Sequence, residues 1–225
     1  MIFTVDNSHF TMKKIYCISG LGADERAFAK VYVEGYELIH LAWLLPLQNE
    51  SIEQYAKRMS KNILDEKPVL MGLSFGGIMS IEIAKHVPAE KVILISSVKS
   101  SKEMPVWMKL AGRLKLNRIM PMRSYKILEP LQNYNLGATS REEKEMARAF
   151  RENVSPVYLH WAINQVLNWK NDWQPASLYH IHGNADKLFP IKKIHTNFVV
   201  DKAGHLMIMN KSREVNQFLS TILTA

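Results

Sequence analysis

Among its 225 residues the chain has a single cysteine, Cys17. This excludes an intrachain disulfide and any cysteine-built metal cluster, and the apolar run around Cys17 makes it a small buried hydrophobe. No stretch approaches the roughly 20 apolar residues needed to cross a bilayer. The first residues, with Asp6, Asn7, Ser8 and His9, lack the basic-then-apolar pattern of a secretion signal, so a cytoplasmic location is expected. Gly/Ser linkers, internal repeats and low-complexity tracts are missing too. With 47% apolar residues, a chain of this length can bury a substantial core as one domain.

Acidic residues are scarce in one place. Between Lys102 and Lys126, Lys102, Lys109, Arg113, Lys115, Arg118, Arg123 and Lys126 face the single acid Glu103, within a net charge of +8. The excess is local, which argues against nucleic acid as a partner. Interleaved with Trp107, Met108, Leu110, Leu114, Leu116, Ile119 and Met120, it reads as the solvated face of a helical insertion. The alternative is a basic amphipathic segment making weak contact with a membrane surface or anionic substrates. Cofactor signatures are lacking as well. Gly20-x-Gly22 has no third glycine of a dinucleotide loop, and His180-x-His182 shares one strand face without a convergent set of further ligands. No cofactor and no metal are expected.

What is present is an alternation of short apolar runs and helical patterns. Strands are expected at Lys14 to Ser19, Tyr36 to Leu41, Pro68 to Leu73, Lys91 to Ser96, Leu178 to His182 and Asn197 to Val200. A capping box at Ser51-Ile52-Glu53-Gln54 opens a helix to about Glu66, a second helix runs from Phe75 to Val87, and a last one from Leu206 to about Leu223. Strand–helix alternation implies a mainly parallel sheet of about six strands with helices on both faces. From about 100 to 173 the pattern is helical only, with a capping box at Ser140 and a cap-plus-proline start at Ser155-Pro156, so this segment reads as a helical cap inserted in a single domain, 1–225. The first dozen residues show no periodicity and read as a loose arm.

Gly72-Leu73-Ser74-Phe75-Gly76 lies where an apolar strand run meets a helix. A serine hydroxyl is a poor nucleophile unless a tight turn presents it to a base and to oxyanion donors. A strand-to-helix elbow does this, with flanking glycines leaving room for the turn and the helix start aiming free N–H groups at the site. The alternative is a plain N-cap serine. Of eight histidines, His205 stands apart: it follows Ala203-Gly204 in the loop after the last strand, at the sheet edge where Ser74 lies. The other seven fall in or at the ends of strands (His40, His180, His182), at a helix end (His86), in the insertion (His160), in the arm (His9) or in a Lys-rich connection (His195). Asp186, in the loop after the penultimate strand, opens on that edge and is favoured as the carboxylate that orients the base; Asp201 is its rival.

With Ser74, Asp186 and His205 in the order Ser, Asp, His, nearly the whole chain resembles an α/β-hydrolase. The resemblance implies an oxyanion hole from the N–H groups of Phe75 and, in Ser19-Gly20-Leu21-Gly22, of Leu21. Two departures stand out: serine replaces the usual histidine before Gly20, and little chain precedes Lys14 to form the first two strands of many members. The segment from Gly204 to Phe218 is similar to the tail of the plant methylesterase and hydroxynitrile-lyase branch. The expected activity is hydrolysis of a small or medium hydrophobic ester; lyase, thioesterase, carbon–carbon hydrolase or non-catalytic binding are the alternatives. Trp107, Met108, Met120 and Trp161 are candidates for substrate contact, with helix–helix packing as their other use.

Overall fold

A computed structural model describes residues 12–116 and 125–224. Its strands are β1 (Lys13–Ile18), β2 (Tyr36–His40), β3 (Val69–Leu73), β4 (Lys91–Ile95), β5 (Leu178–Gly183) and β6 (Phe198–Val200). They form one six-stranded parallel sheet in the order β2-β1-β3-β4-β5-β6. All six are the segments expected from the sequence, with ends shifted by about a residue. The expected arm lies outside the described residues.

Strand side chains alternate between two cores, as a sheet covered on both faces requires. Tyr16, Ile18, Leu70, Val92 and Leu94 join one apolar cluster; Ile15, Cys17, Val69, Met71, Leu73, Ile93 and Ile95 join the other. The first is covered by α1 (Ile52–Met59) and α2 (Phe75–Ala84). α2 is buried along its length from Phe75 to Ile83 rather than amphipathic, and its two polar side chains are bonded inside, Ser80 Oγ donating to Gly76 O and Glu82 accepting from Trp169 Nε1. Between β4 and β5 come α3 (Val106–Arg113), α4 (Tyr125–Leu136), α5 (Arg141–Asn153) and α6 (Pro156–Asn168), and Met104, Met108, Tyr158, Ala162 and Trp169 of this insertion share the first cluster with the sheet. The second face is covered by α7 (Met207–Asn210) and α8 (Ser212–Thr224).

Both capping boxes form, at Ser51 with Gln54 and at Ser140 with Glu143. Three helices are shorter than their patterns suggest. α1 passes into a 3₁₀ turn, Ser60–Asn62, and Ile63 is already extended. α2 stops at Ala84 ahead of Pro88, and the last helix is broken at Lys211, whose backbone leaves the helical region between α7 and α8. Apolar periodicity continues past each stop because the following residues still pack on the core. Among the described residues no helix is long and apolar enough to cross a membrane.

In the basic segment, the acid Glu103 is buried and accepts the Lys99 and His195 N–H groups, so its charge faces inward. Arg118 and Arg123 lie outside the described residues. Cys17 is buried, and burial pushes its thiol up.

Candidate active site

β3 ends at Leu73 and α2 begins at Phe75, leaving Ser74 alone in the turn with φ 54° and ψ −119°. A left-handed φ at a non-glycine residue is strained and survives only where the surroundings hold it. Here Ser74 N–H donates to Ile95 O at 2.9 Å, and Ser97 Oγ donates to Ser74 O at 2.7 Å. The flanking glycines are required by space. A methyl on Gly72 would collide with the Gly76 carbonyl, and one on Gly76 with the Ile18 carbonyl at the end of β1.

The loops after β5 and β6 are stitched together. Ala185 N–H donates to Ala203 O at 3.0 Å, and Asn184 N–H to Val200 O at 3.2 Å. This brings Asp186 and His205 face to face, with His205 Nδ1 2.8 Å from Asp186 Oδ2 and His205 Nε2 2.8 Å from Ser74 Oγ. Asp186 is 4% exposed, and its other oxygen accepts the Leu188 and Phe189 N–H groups at 2.8 and 2.9 Å. Burial opposes ionisation of this carboxyl, but the His205 charge and hydrogen bond and the Phe189 N–H outweigh it, holding Asp186 below the usual carboxylate range. With Nδ1–H donating to that carboxylate, Nε2 is the ring nitrogen that faces the serine hydroxyl. Asp201 instead accepts from Asn184 Nδ2 at 2.8 Å in an exposed pair.

Gly20 packs beside the serine, so that a methyl on it would sit 3.6 Å from Ser74 Cβ. Leu21 follows in a turn closed by Ala23 N–H donating to Gly20 O at 3.0 Å, and Phe75 is the first residue of α2, where helical N–H groups have no intrahelical partner. The loop after β1 and the start of α2 therefore both border Ser74.

The four residues suggested for substrate contact are scattered. Trp161 stacks on Tyr55 with ring centroids 4.2 Å apart, meets Phe75 edge-on at 6.3 Å, and donates Nε1–H to Glu50 O. Met108 is buried in the core cluster. Trp107 is 55% exposed on α3, and Met120 lies outside the described residues. The insertion does reach the site loops: Val154 packs on Gly22, and the carbonyl of Leu136, at the end of α4, accepts the N–H of Leu206.

Three further residues belong to the arrangement and are not evident from spacing. Ser97 holds the elbow carbonyl, Trp43 stacks on Phe75 with centroids 5.1 Å apart, and His182 stands behind Asp186, donating Nε2–H to Phe189 O at 2.8 Å. Ser97 and Trp43 follow the ends of β4 and β2, and that position at the carboxyl edge of the sheet is the only sequence signal they carry. His182 Nδ1 meets His180 Nε2 at 3.2 Å. Burial, together with the neighbouring His182 and Lys99, pushes His180 down to about 3. Among the described residues no group of three or more His, Cys, Asp or Glu side chains is placed to hold a metal ion.

A parallel six-stranded sheet with a strand–serine–helix elbow and a helical insertion after β4 is the α/β-hydrolase fold, and the chain adopts it. It superposes on a thermophilic esterase from Thermogutta terrifontis with a TM-score of 0.70 at 18% identity, covering 94% of this chain and 89% of that one. An epoxide hydrolase from Bacillus megaterium gives a TM-score of 0.69 at 12% identity over 95% and 94% of the two chains. A meta-cleavage product hydrolase from Pseudomonas fluorescens gives 0.68 at 15% identity over 94% and 90%. No protein-family profile and no curated protein sequence matches the chain.

Proposed function

We propose that the protein is a serine hydrolase cleaving a small or medium hydrophobic ester through an acyl-enzyme, with Ser74 as nucleophile, His205 as general base and Asp186 as the carboxylate that orients it. The observation that carries this reading is the unbroken path from Asp186 Oδ2 through His205 to Ser74 Oγ, with both contacts at 2.8 Å. Helices α3 to α6 serve as the cap over the acyl site, with Trp161 beside Phe75 as its wall.

In the first half-reaction Ser74 Oγ bonds to the ester carbonyl carbon as its proton passes to His205 Nε2. The carbonyl electron pair moves onto oxygen, where the N–H groups of Leu21 and Phe75 stabilise it. The tetrahedral adduct then expels the alcohol, which takes the proton from His205. Water repeats the sequence on the acyl-enzyme, releasing the acid and restoring Ser74. Asp186 stays ionised throughout and favours the imidazolium, in keeping with a carboxyl held below its usual range.

Turnover of p-nitrophenyl acetate, butyrate and octanoate by the purified protein, with Ser74→Ala as blank, tests the reading. Ser74→Ala is expected to lower kcat by at least about 1,000-fold with the fold intact. Unchanged turnover in that variant would refute the assignment. A fluorophosphonate should label Ser74, and absence of labelling points to a binding protein. Strong cleavage of thioesters or carbon–carbon bonds alongside weak turnover of all esters would move the substrate class.

A further inference from the structure

The serine that replaces the usual histidine before Gly20 is wholly buried and fully bonded. Ser19 Oγ donates to Ala23 O at 2.6 Å, accepts from Trp43 Nε1 at 3.1 Å, and lies 3.3 Å from His40 Nε2. A hydroxyl has one hydrogen and two acceptor positions. The hydrogen goes to Ala23, so both nitrogens must donate to Ser19 Oγ. Trp43 Nε1–H is shared, reaching Gly20 O at 3.3 Å as well.

These bonds enclose the turn that carries Leu21. Ser19 Oγ to Ala23 O and Ala23 N–H to Gly20 O tie its two ends together, and the indole fixes the Gly20 carbonyl. The peptide joining Gly20 to Leu21 has that carbonyl at one end and the Leu21 N–H at the other. Because a peptide unit is planar, holding the carbonyl also sets the direction of the N–H. The indole is stacked on Phe75, with an interplanar angle of 13°, and Phe75 carries the second N–H. One side chain thus bonds to the carbonyl of the peptide that carries the Leu21 N–H and packs on the ring of Phe75.

Resting on the hydrolase reading above, we infer that Ser19 and Trp43 are positioning residues, a clasp that holds the Leu21 and Phe75 N–H groups in register for the oxyanion. Their contribution falls on the transition state, where donor direction counts, rather than on binding of the uncharged ester.

The test uses Ser19→Ala, Trp43→Phe and wild type, with Ser74→Ala as blank, measuring kcat and KM on p-nitrophenyl butyrate and inhibition by an alkyl trifluoromethyl ketone, which forms a tetrahedral adduct with the serine. Each variant is expected to lower kcat by about 10- to 100-fold with KM within about threefold, and to weaken the ketone by the same factor as kcat/KM. Trp43→Phe keeps a ring against Phe75 and decides the question if Ser19→Ala does not fold. Wild-type kcat and ketone affinity in a folded variant, or a rise in KM at constant kcat, would overturn the inference while leaving the hydrolase reading in place. If wild-type protein turns over no ester and Ser74 takes no probe, the reading itself fails and the clasp falls with it.

Discussion

His182 Nε2 lies 3.6 Å from Asp186 Oδ2, the same oxygen that accepts the His205 Nδ1–H. The carboxylate is therefore held between two imidazoles, one leading to the serine and one leading back to a second buried histidine, His180. All three side chains behind the serine, Asp186, His182 and His205, are almost fully removed from water. In such a place the charge on each group is set by its neighbours rather than by solvent.

Asp186→Asn should reduce kcat by about a thousand- to ten-thousand-fold on p-nitrophenyl butyrate, since the amide can present an N–H to His205 Nδ1 and favour the wrong tautomer. Asp201→Asn, at the exposed pair with Asn184, should leave the rate within about twofold. The reverse pattern would transfer the orienting role to Asp201.

Stability should fall in mild acid. His180 has an ordinary value of 6.5 and is pushed down to about 3 by burial and by His182 and Lys99. Between those values the unfolded chain binds a proton that the fold refuses, so lowering the pH favours unfolding by at most about 1.4 kcal/mol per pH unit for this group. Burial lowers His182 as well, against the pull of Asp186, and adds in the same direction. Urea unfolding at pH 7, 6, 5 and 4 should show this loss, and a shallower dependence in His180→Asn. Equal slopes in both proteins would exclude His180 as the titrating group.

Gly76→Ala should destabilise the fold by roughly 2–4 kcal/mol or prevent folding, because the added methyl meets the Ile18 carbonyl, which cannot move without shifting β1. Gly35, where a methyl meets nothing, is a left-handed turn residue whose replacement by alanine costs only local backbone strain of about 1 kcal/mol. Urea midpoints for the two variants check the contrast.

Arg58→Ala should cost about 2–4 kcal/mol in urea unfolding, less than a fully buried pair because Arg58 is partly exposed. Its guanidinium makes two hydrogen bonds to Glu50, at 2.9 and 2.8 Å, and holds that carboxyl below its usual range. Without it, the nearly buried Glu50 keeps only the Leu47 N–H. Glu50 also lends its main-chain carbonyl to Trp161, so the loss should reach the contact between this loop and the insertion. A change under about 0.5 kcal/mol would show the pair to be surface-like.

Features that depend on near neighbours are legible in the chain alone. The six strands, the two capping boxes, the glycine spacing around Ser74 and the helical character of the insertion each follow from the preferences of a few adjacent residues. Helix ends were less legible, since Ile63 and the residues around Lys211 continue an apolar pattern after the backbone has left the helix. Tertiary structure decided which side chains meet at the carboxyl edge of the sheet. Ser97 reaches Ser74 across 23 residues, Trp43 reaches Ser19 across 24, and Trp161 reaches Glu50 across 111. Asp186 rather than Asp201 faces His205 because the loops after β5 and β6 are bonded to each other in one register. Those contacts join loops on separate strands, so their distances are fixed by sheet order and packing, and no local preference encodes them.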